Sequence, residues 1–95
     1  MKMRRVKSPI RELRERRAWR AADLAIFAGM SIGGVTMVER GEIAKLPARL
    51  EAALVRLGVD LDEVRAQQAE FVETRRRELM LRAVQPSHST RGEEQ

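Results

Sequence analysis

Three residues, Gly29-Met30-Ser31, separate two short segments of helical hydrophobic period, and no other feature limits the possible folds as much. The first segment begins at Ala21 and repeats Leu24, Ala25 and Ala28 on one face. Gly29 ends it, because glycine enters the left-handed conformation that closes a helix without the penalty a Cβ brings. Ser31 stands where its hydroxyl can cap a following helix, which carries Val35 and Val38 inward and stops at Gly41.

The same signals place three further helices. Ser8-Pro9 opens the first, with Ser as cap and Pro pre-set for the first helical position, and Ile10, Leu13 and Arg14 share one face. Trp19 follows at its exit and reads as a core residue rather than a platform for stacking bases. From Pro47 to Leu57, Leu50, Ala53, Leu54 and Leu57 fall at i, i+3, i+4 and i+7, and Gly58 stops the run. Asp60-Leu-Asp-Glu63 is a capping-box arrangement that starts a fifth helix, and no breaker follows until Pro86. At about 25 residues and 1.5 Å per residue that helix is roughly 37 Å long, so its second half is expected to leave the domain.

A chain of 95 residues, 43% hydrophobic and 35% charged, with three aromatics, no Tyr and no β-branched runs, has the composition of one small all-α domain plus an appendage. The absence of cysteine excludes disulfides and thiolate metal sites, and the single histidine, His88, lies in a polar tail without a second ligand nearby, so no metal or other cofactor is expected. The carboxylates sit at helix caps or on charged faces, and no nucleophile with a base can be assembled; no catalytic residue is assigned and an enzyme is not expected. Gly33-Gly34 lacks the Lys and the preceding strand of a phosphate loop. The longest uncharged run, Leu24 to Val38, is about 15 residues against the ~20 that span a bilayer. The basic start is not followed by the apolar segment of a signal peptide. The expectation is a soluble cytoplasmic protein with no membrane role.

The formal charge of +5 is unevenly placed. Residues 1–20 hold nine Lys or Arg against two Glu, a net +7, while 21–60 and 61–95 each come to −1. Such a basic arm draws polyanions, most often nucleic acid, and serves equally as a solvated arm that maintains solubility.

Two short helices joined by a tight Gly-containing turn make a helix-turn-helix, whose second helix is the candidate for a DNA major groove. The run from Trp19 to Gly41 resembles, without a gap, the helix-turn-helix of the phage repressor and Cro family, the Xre-like regulators. The resemblance extends from about Ile10 to Val64. It rests on Ile10-x-x-Leu13-Arg14, Leu24-Ala25, Gly29-x-Ser31, Glu39-x-Gly41 and Leu57-Gly58-Val59-x-Leu61-Asp62-Glu63. It implies an all-α, five-helix repressor-like domain, dimeric, regulating transcription from a palindromic operator. It further implies that Arg14 pairs with Glu39 and ties the first helix to the end of the third, a structural ion pair that fixes geometry more than it adds stability. Relatives usually open the second helix with a small cap and a DNA-contacting Gln, where this chain has Arg20 and Ala21, and place polar residues where it has Ile32, Gly33 and Met37. The expected organisation is a basic arm at 1–8, the DNA-binding domain at 9–66, an extended helix at 67–85 for oligomerisation or partner binding, and a disordered tail at 86–95.

With Val35 and Val38 inward, the base-facing set is Ser31, Ile32, Gly33, Thr36 and Met37, able to touch thymine methyl groups and poorly equipped for bidentate base contacts. Arg4, Arg5, Lys7, Arg20 and Arg40 are the candidates for phosphate contact on double-stranded DNA. Gly33 and Gly34 each cost about 1 kcal/mol relative to Ala, which leaves open whether the third helix is complete before DNA binds. Ile32 and Met37 also fit a small apolar patch for a protein partner, or two isolated surface hydrophobes.

On the fifth helix Leu61, Val64, Phe71, Val72, Leu79, Met80, Leu81 and Val84 are too many apolar residues for a solvated helix, while Gln68 and Arg75 interrupt a heptad seam. A short homodimer contact through Phe71, Val72, Leu79 and Met80 is expected, with packing back onto the domain as the alternative for Leu61 and Val64. Arg75-Arg76-Arg77 reads as a solvated face paired with Glu73 and Glu78. Function is thus expected to be repression of an operator by a dimer. The alternatives are an antitoxin-type autorepressor that binds a toxin through its C-terminal helix, and a protein-interaction adaptor or antirepressor that uses the third helix.

Overall fold

The computed structural model describes residues 7–84; the arm residues Arg4 and Arg5 and the tail containing His88 lie outside the described residues. Five helices follow one another: α1 (Pro9–Arg16), α2 (Ala21–Ala28), α3 (Ile32–Glu39), α4 (Ala48–Arg56) and α5 (Leu61–Ala83). No strand occurs among the described residues.

Local chemistry sets the boundaries. Ser8 Oγ accepts from Arg11 N–H at 3.2 Å ahead of Pro9, and Asp60 Oδ1 accepts from Glu63 N–H at 3.2 Å at the head of α5. At the head of α2, Arg20 has no acceptor to offer as a cap, and Asp23 accepts from the Arg20 N–H at 2.7 Å instead. Gly29 closes α2 at φ +70°, and the Met30 N–H returns to Ala25 O at 2.8 Å.

The core is a single cluster. Ile10, Leu24, Val35, Val38, Leu50, Ala53 and Leu54 are all fully buried, joined by Leu13, Ala25, Ala28, Leu46 and Val64, with Trp19, Phe27, Leu57 and Leu61 packed at its margin. Each helix therefore contributes the face its 3.6-residue period marks. α2 packs on α3, α4 and α1, and α1 packs also on α3, so α1 and α4 back the α2–α3 pair, while α5 packs behind on α1 and α4.

The attachment of α5 reaches further than 9–66. Val64, Gln68, Phe71 and Val72 fall at i, i+4, i+7 and i+8 and are all buried against the domain. Free helix surface begins beyond them, where Leu79, Met80, Leu81 and Val84 are 52–69% exposed.

Candidate nucleic-acid interface

The axes of α2 and α3 meet at 114° across the Gly29-Met30-Ser31 turn, within the range of helix-turn-helix units. Ser31 Oγ accepts from Gly34 N–H at 3.0 Å and caps α3. Two glycines in the first turn cost this short helix about 1 kcal/mol each, yet α3 is helical in full, because Val35 and Val38 are wholly buried and hold its inner face.

Side chains from outside the unit hold its ends. Arg14 forms a two-pronged pair with Glu39, Nε to Oε2 at 2.7 Å and Nη2 to Oε1 at 3.0 Å, and its Nη1 donates to Trp19 O at 3.1 Å. One guanidinium thus joins the chain entering α2 to the last turn of α3. Hydrogen bonding to Glu39 raises the Arg14 guanidinium further above its ordinary value, so it stays charged at any working pH. From α4, Arg49 Nη1 donates to Gly29 O and Arg56 Nη2 to Phe27 O, each at 2.7 Å, and Arg56 also lies 4.6 Å from the centre of the Phe27 ring. From α5, Gln68 Nε2 donates to Val38 O at 3.1 Å and to Ile43 O at 3.0 Å. The carbonyl-rich ends of both helices are therefore satisfied by donors on α4 and α5.

Arg49 and Arg56 are not among the residues the sequence marks out, and Gln68 reads there only as a break in a heptad. A polar residue in step with Val64, Phe71 and Val72 on one face was the available signal for Gln68. Arg49 and Arg56, seven residues apart on α4, left a weaker one, since exposed arginines at that spacing usually face solvent.

The outward face of α3 carries Ser31, Ile32, Gly33, Thr36 and Met37, with Arg40 at its C-cap. Ile32 is 53% and Met37 43% exposed. Thr36 Oγ1 donates back to Ile32 O at 2.9 Å. Among the phosphate candidates, Arg20 is exposed and sits 3.5 Å from Asp23, Arg40 is 3.6 Å from Glu42, and Lys7 is 3.9 Å from Glu15. Lys7 and Arg40 line one cleft with Arg11 and Arg75. Because Arg14 spans Trp19 and Glu39, the neighbouring Arg20 and Arg40 stand at the same end of the α2–α3 unit.

Two residues expected at an oligomer contact are placed elsewhere. Phe71 and Val72 are 6% and 4% exposed and covered by their own domain, and the Phe71 ring and Arg75 stem pass over Gly41, where a Cβ would meet both at 3.1 Å. The physical reason is that Gly41, at φ +78° and without a side chain, lets α5 approach the α3 C-terminus closely. Leu79 and Met80 remain exposed. Arg75 pairs with Glu78 at 3.0 Å and Arg77 with Glu73 at 3.7 Å, so these two charges are met on the same helix, while Arg76 forms no ion pair among the described residues.

No helix among the described residues is long and apolar enough to cross a membrane. Residues 10–67 match the family model of the helix-turn-helix domain. The chain belongs to the helix-turn-helix domain family, whose members bind DNA. Comparison with curated proteins and with solved structures gave no match.

Proposed function

We propose that the chain is a dimeric transcriptional repressor of the phage repressor and Cro type, acting in the cytoplasm on a palindromic operator and blocking transcription by occupancy. The observation that carries this reading is the clamped α2–α3 pair, with an α3 face on which Ile32 and Met37 stay exposed among the described residues. On it, α3 enters the major groove with Ser31, Ile32, Gly33, Thr36 and Met37 toward the bases, while Arg20, Arg40, Lys7 and the sequence-defined arm residues Arg4 and Arg5 meet phosphates. Leu79 and Met80 on the free end of α5 supply the contact between copies, which sets the two recognition helices a fixed distance apart. The same exposed end gives the antitoxin reading its support, with a toxin in place of the second copy.

Selection from a random duplex pool, followed by sequencing of the bound fraction, tests this. A dimeric repressor enriches a two-fold symmetric motif with half-sites about one helical turn apart. Salt-sensitive binding without a motif removes the operator and leaves an electrostatic DNA binder. Absence of binding at low salt transfers the α3 face to a protein partner and favours the adaptor.

A further inference from the structure

The outward face of α3 is short of hydrogen-bonding chemistry in a specific way. Reading a base pair by hydrogen bonds takes a side chain with two suitably spaced groups, such as Arg, Lys, Asn or Gln. Ser31 has its hydroxyl oxygen turned to the Gly34 N–H, and Thr36 spends its hydroxyl proton on Ile32 O. Gly33 offers nothing, and the guanidinium of Arg40 starts beyond the last turn and lies beside the Glu42 carboxylate. What the face does present is apolar: Ile32 and Met37, both substantially exposed, flanking a position without a side chain.

Gly33 is not imposed by the fold. A Cβ there would find only Ser31 Oγ, at an ordinary 3.9 Å, among the described residues. Its φ is not in the left-handed region, so any L-residue could occupy it. The missing side chain lowers the floor between Ile32 and Met37 and allows the backbone itself to come close to whatever the face meets. In the major groove of unmodified DNA the one apolar group is the C5-methyl of thymine. A branched aliphatic side chain and a flexible, polarisable thioether are suited to cover such a methyl.

Resting on the DNA-binding reading, we propose that α3 recognises pyrimidine C5-methyl groups, through Ile32 and Met37 on either side of Gly33, rather than the donor and acceptor pattern of the bases. The ligand class is methyl-bearing duplex, which includes A·T-rich DNA and DNA carrying 5-methylcytosine. Affinity comes from the basic residues at the ends of the unit, and preference comes from the number of methyl groups in reach.

The test uses the full chain with four duplexes: alternating A·T, the same with uracil for thymine, alternating G·C, and the same with 5-methylcytosine for cytosine. Each pair differs by a methyl group while keeping phosphates and Watson–Crick edges. The expected result is tighter binding to the methylated member of both pairs, by about fourfold per methyl contacted, the factor equivalent to the ~0.8 kcal/mol of one buried CH₂. In Ile32→Ala/Met37→Ala, with both changes at exposed positions, the methylated-to-unmethylated ratio, taken within the variant itself, should fall to about one, and a ratio that stays at the value of the unaltered chain overturns the methyl reading. Equal affinity within both pairs overturns the methyl reading and leaves DNA binding standing. Preference for thymine over uracil without preference for 5-methylcytosine over cytosine also overturns it, since that pattern reports duplex shape. Failure to bind any of the four at low salt overturns the proposal together with the DNA-binding reading.

Discussion

Gln68, in the third turn of α5 and wholly buried, donates from one amide nitrogen to the carbonyls of Val38 and Ile43, and so fastens the end of α3 to a helix outside the α2–α3 pair. Its Oε1 is buried without a partner among the described residues, which marks the bond as one kept for geometry at some cost.

Gln68→Leu should therefore destabilise the domain by about 1–2 kcal/mol, because it takes the Gln68 donor from the half-buried Ile43 carbonyl and leaves the Val38 carbonyl with the Gly41 N–H alone, while relieving the unpartnered Oε1. Amide hydrogen exchange would show faster opening at the C-terminal turn of α3 than elsewhere. Uniform acceleration across all helices would mean that Gln68 serves the core in general and not α3.

Much of this architecture is legible in the sequence because helix starts and stops are local. Ser8-Pro9, Gly29, Ser31 and Asp60 act on N–H and C=O groups a few residues away, and all stand at helix ends in the structure. The Arg14–Glu39 contact came from family resemblance, since nothing between residues 25 positions apart would single it out. The clamps from Arg49, Arg56 and Gln68 were not legible, because each donates to a backbone carbonyl, and carbonyls carry no sequence identity. Phe71 and Val72 were misplaced for a related reason. Apolar period shows that a helix face is covered but not by what, and only the close approach at Gly41 reveals that the cover is the chain itself.

Gly33→Ala should raise stability by about 0.5–1 kcal/mol, since the position is helical, has room for a Cβ and gains from the lower backbone freedom of Ala. Gly34→Ala should gain less, with Met30 Cε at 3.1 Å having to move. Thermal melts of the two variants check this order. Binding of DNA by Gly33→Ala should weaken despite the gain; affinity that rises with stability would remove close approach as the reason for Gly33.

Acid should lower the stability modestly through exposed carboxylates held ionised. The Arg11 guanidinium lowers the Glu15 carboxyl, the Arg20 N–H lowers Asp23, and the Arg65 guanidinium lowers Glu51. Each folded-state pKa lies below its unfolded value, so the stabilisation is complete above the ordinary carboxylate range of about 4 and is lost as pH falls through the depressed values. The melting temperature should be flat near neutrality and decline below about pH 4. At about 1 M salt, where the Debye length is about 3 Å, the Glu15 and Glu51 contributions should shrink, whereas that of Asp23, held by a backbone N–H, should persist. A decline of unchanged steepness in Asp23→Asn at high salt would contradict this division.

On the proposed dimer contact, the unaltered chain should sediment as a dimer and Leu79→Asp as a monomer with the same helical circular dichroism signal, because Leu79 lies beyond the buried face of α5. A dimer that survives Leu79→Asp and also Met80→Asp would exclude the free end of α5 as the contact.

Whether α3 faces DNA is decided by anisotropy titration of a labelled duplex with the unaltered chain and with Met37→Glu across a range of salt concentrations. The unaltered chain should bind at low salt with an association constant whose logarithm falls linearly with the logarithm of salt concentration, and Met37→Glu, which sets a carboxylate toward phosphates at an exposed position, should bind about tenfold or more weakly. Equal binding by both proteins, or none by either at low salt, would contradict a DNA-facing α3.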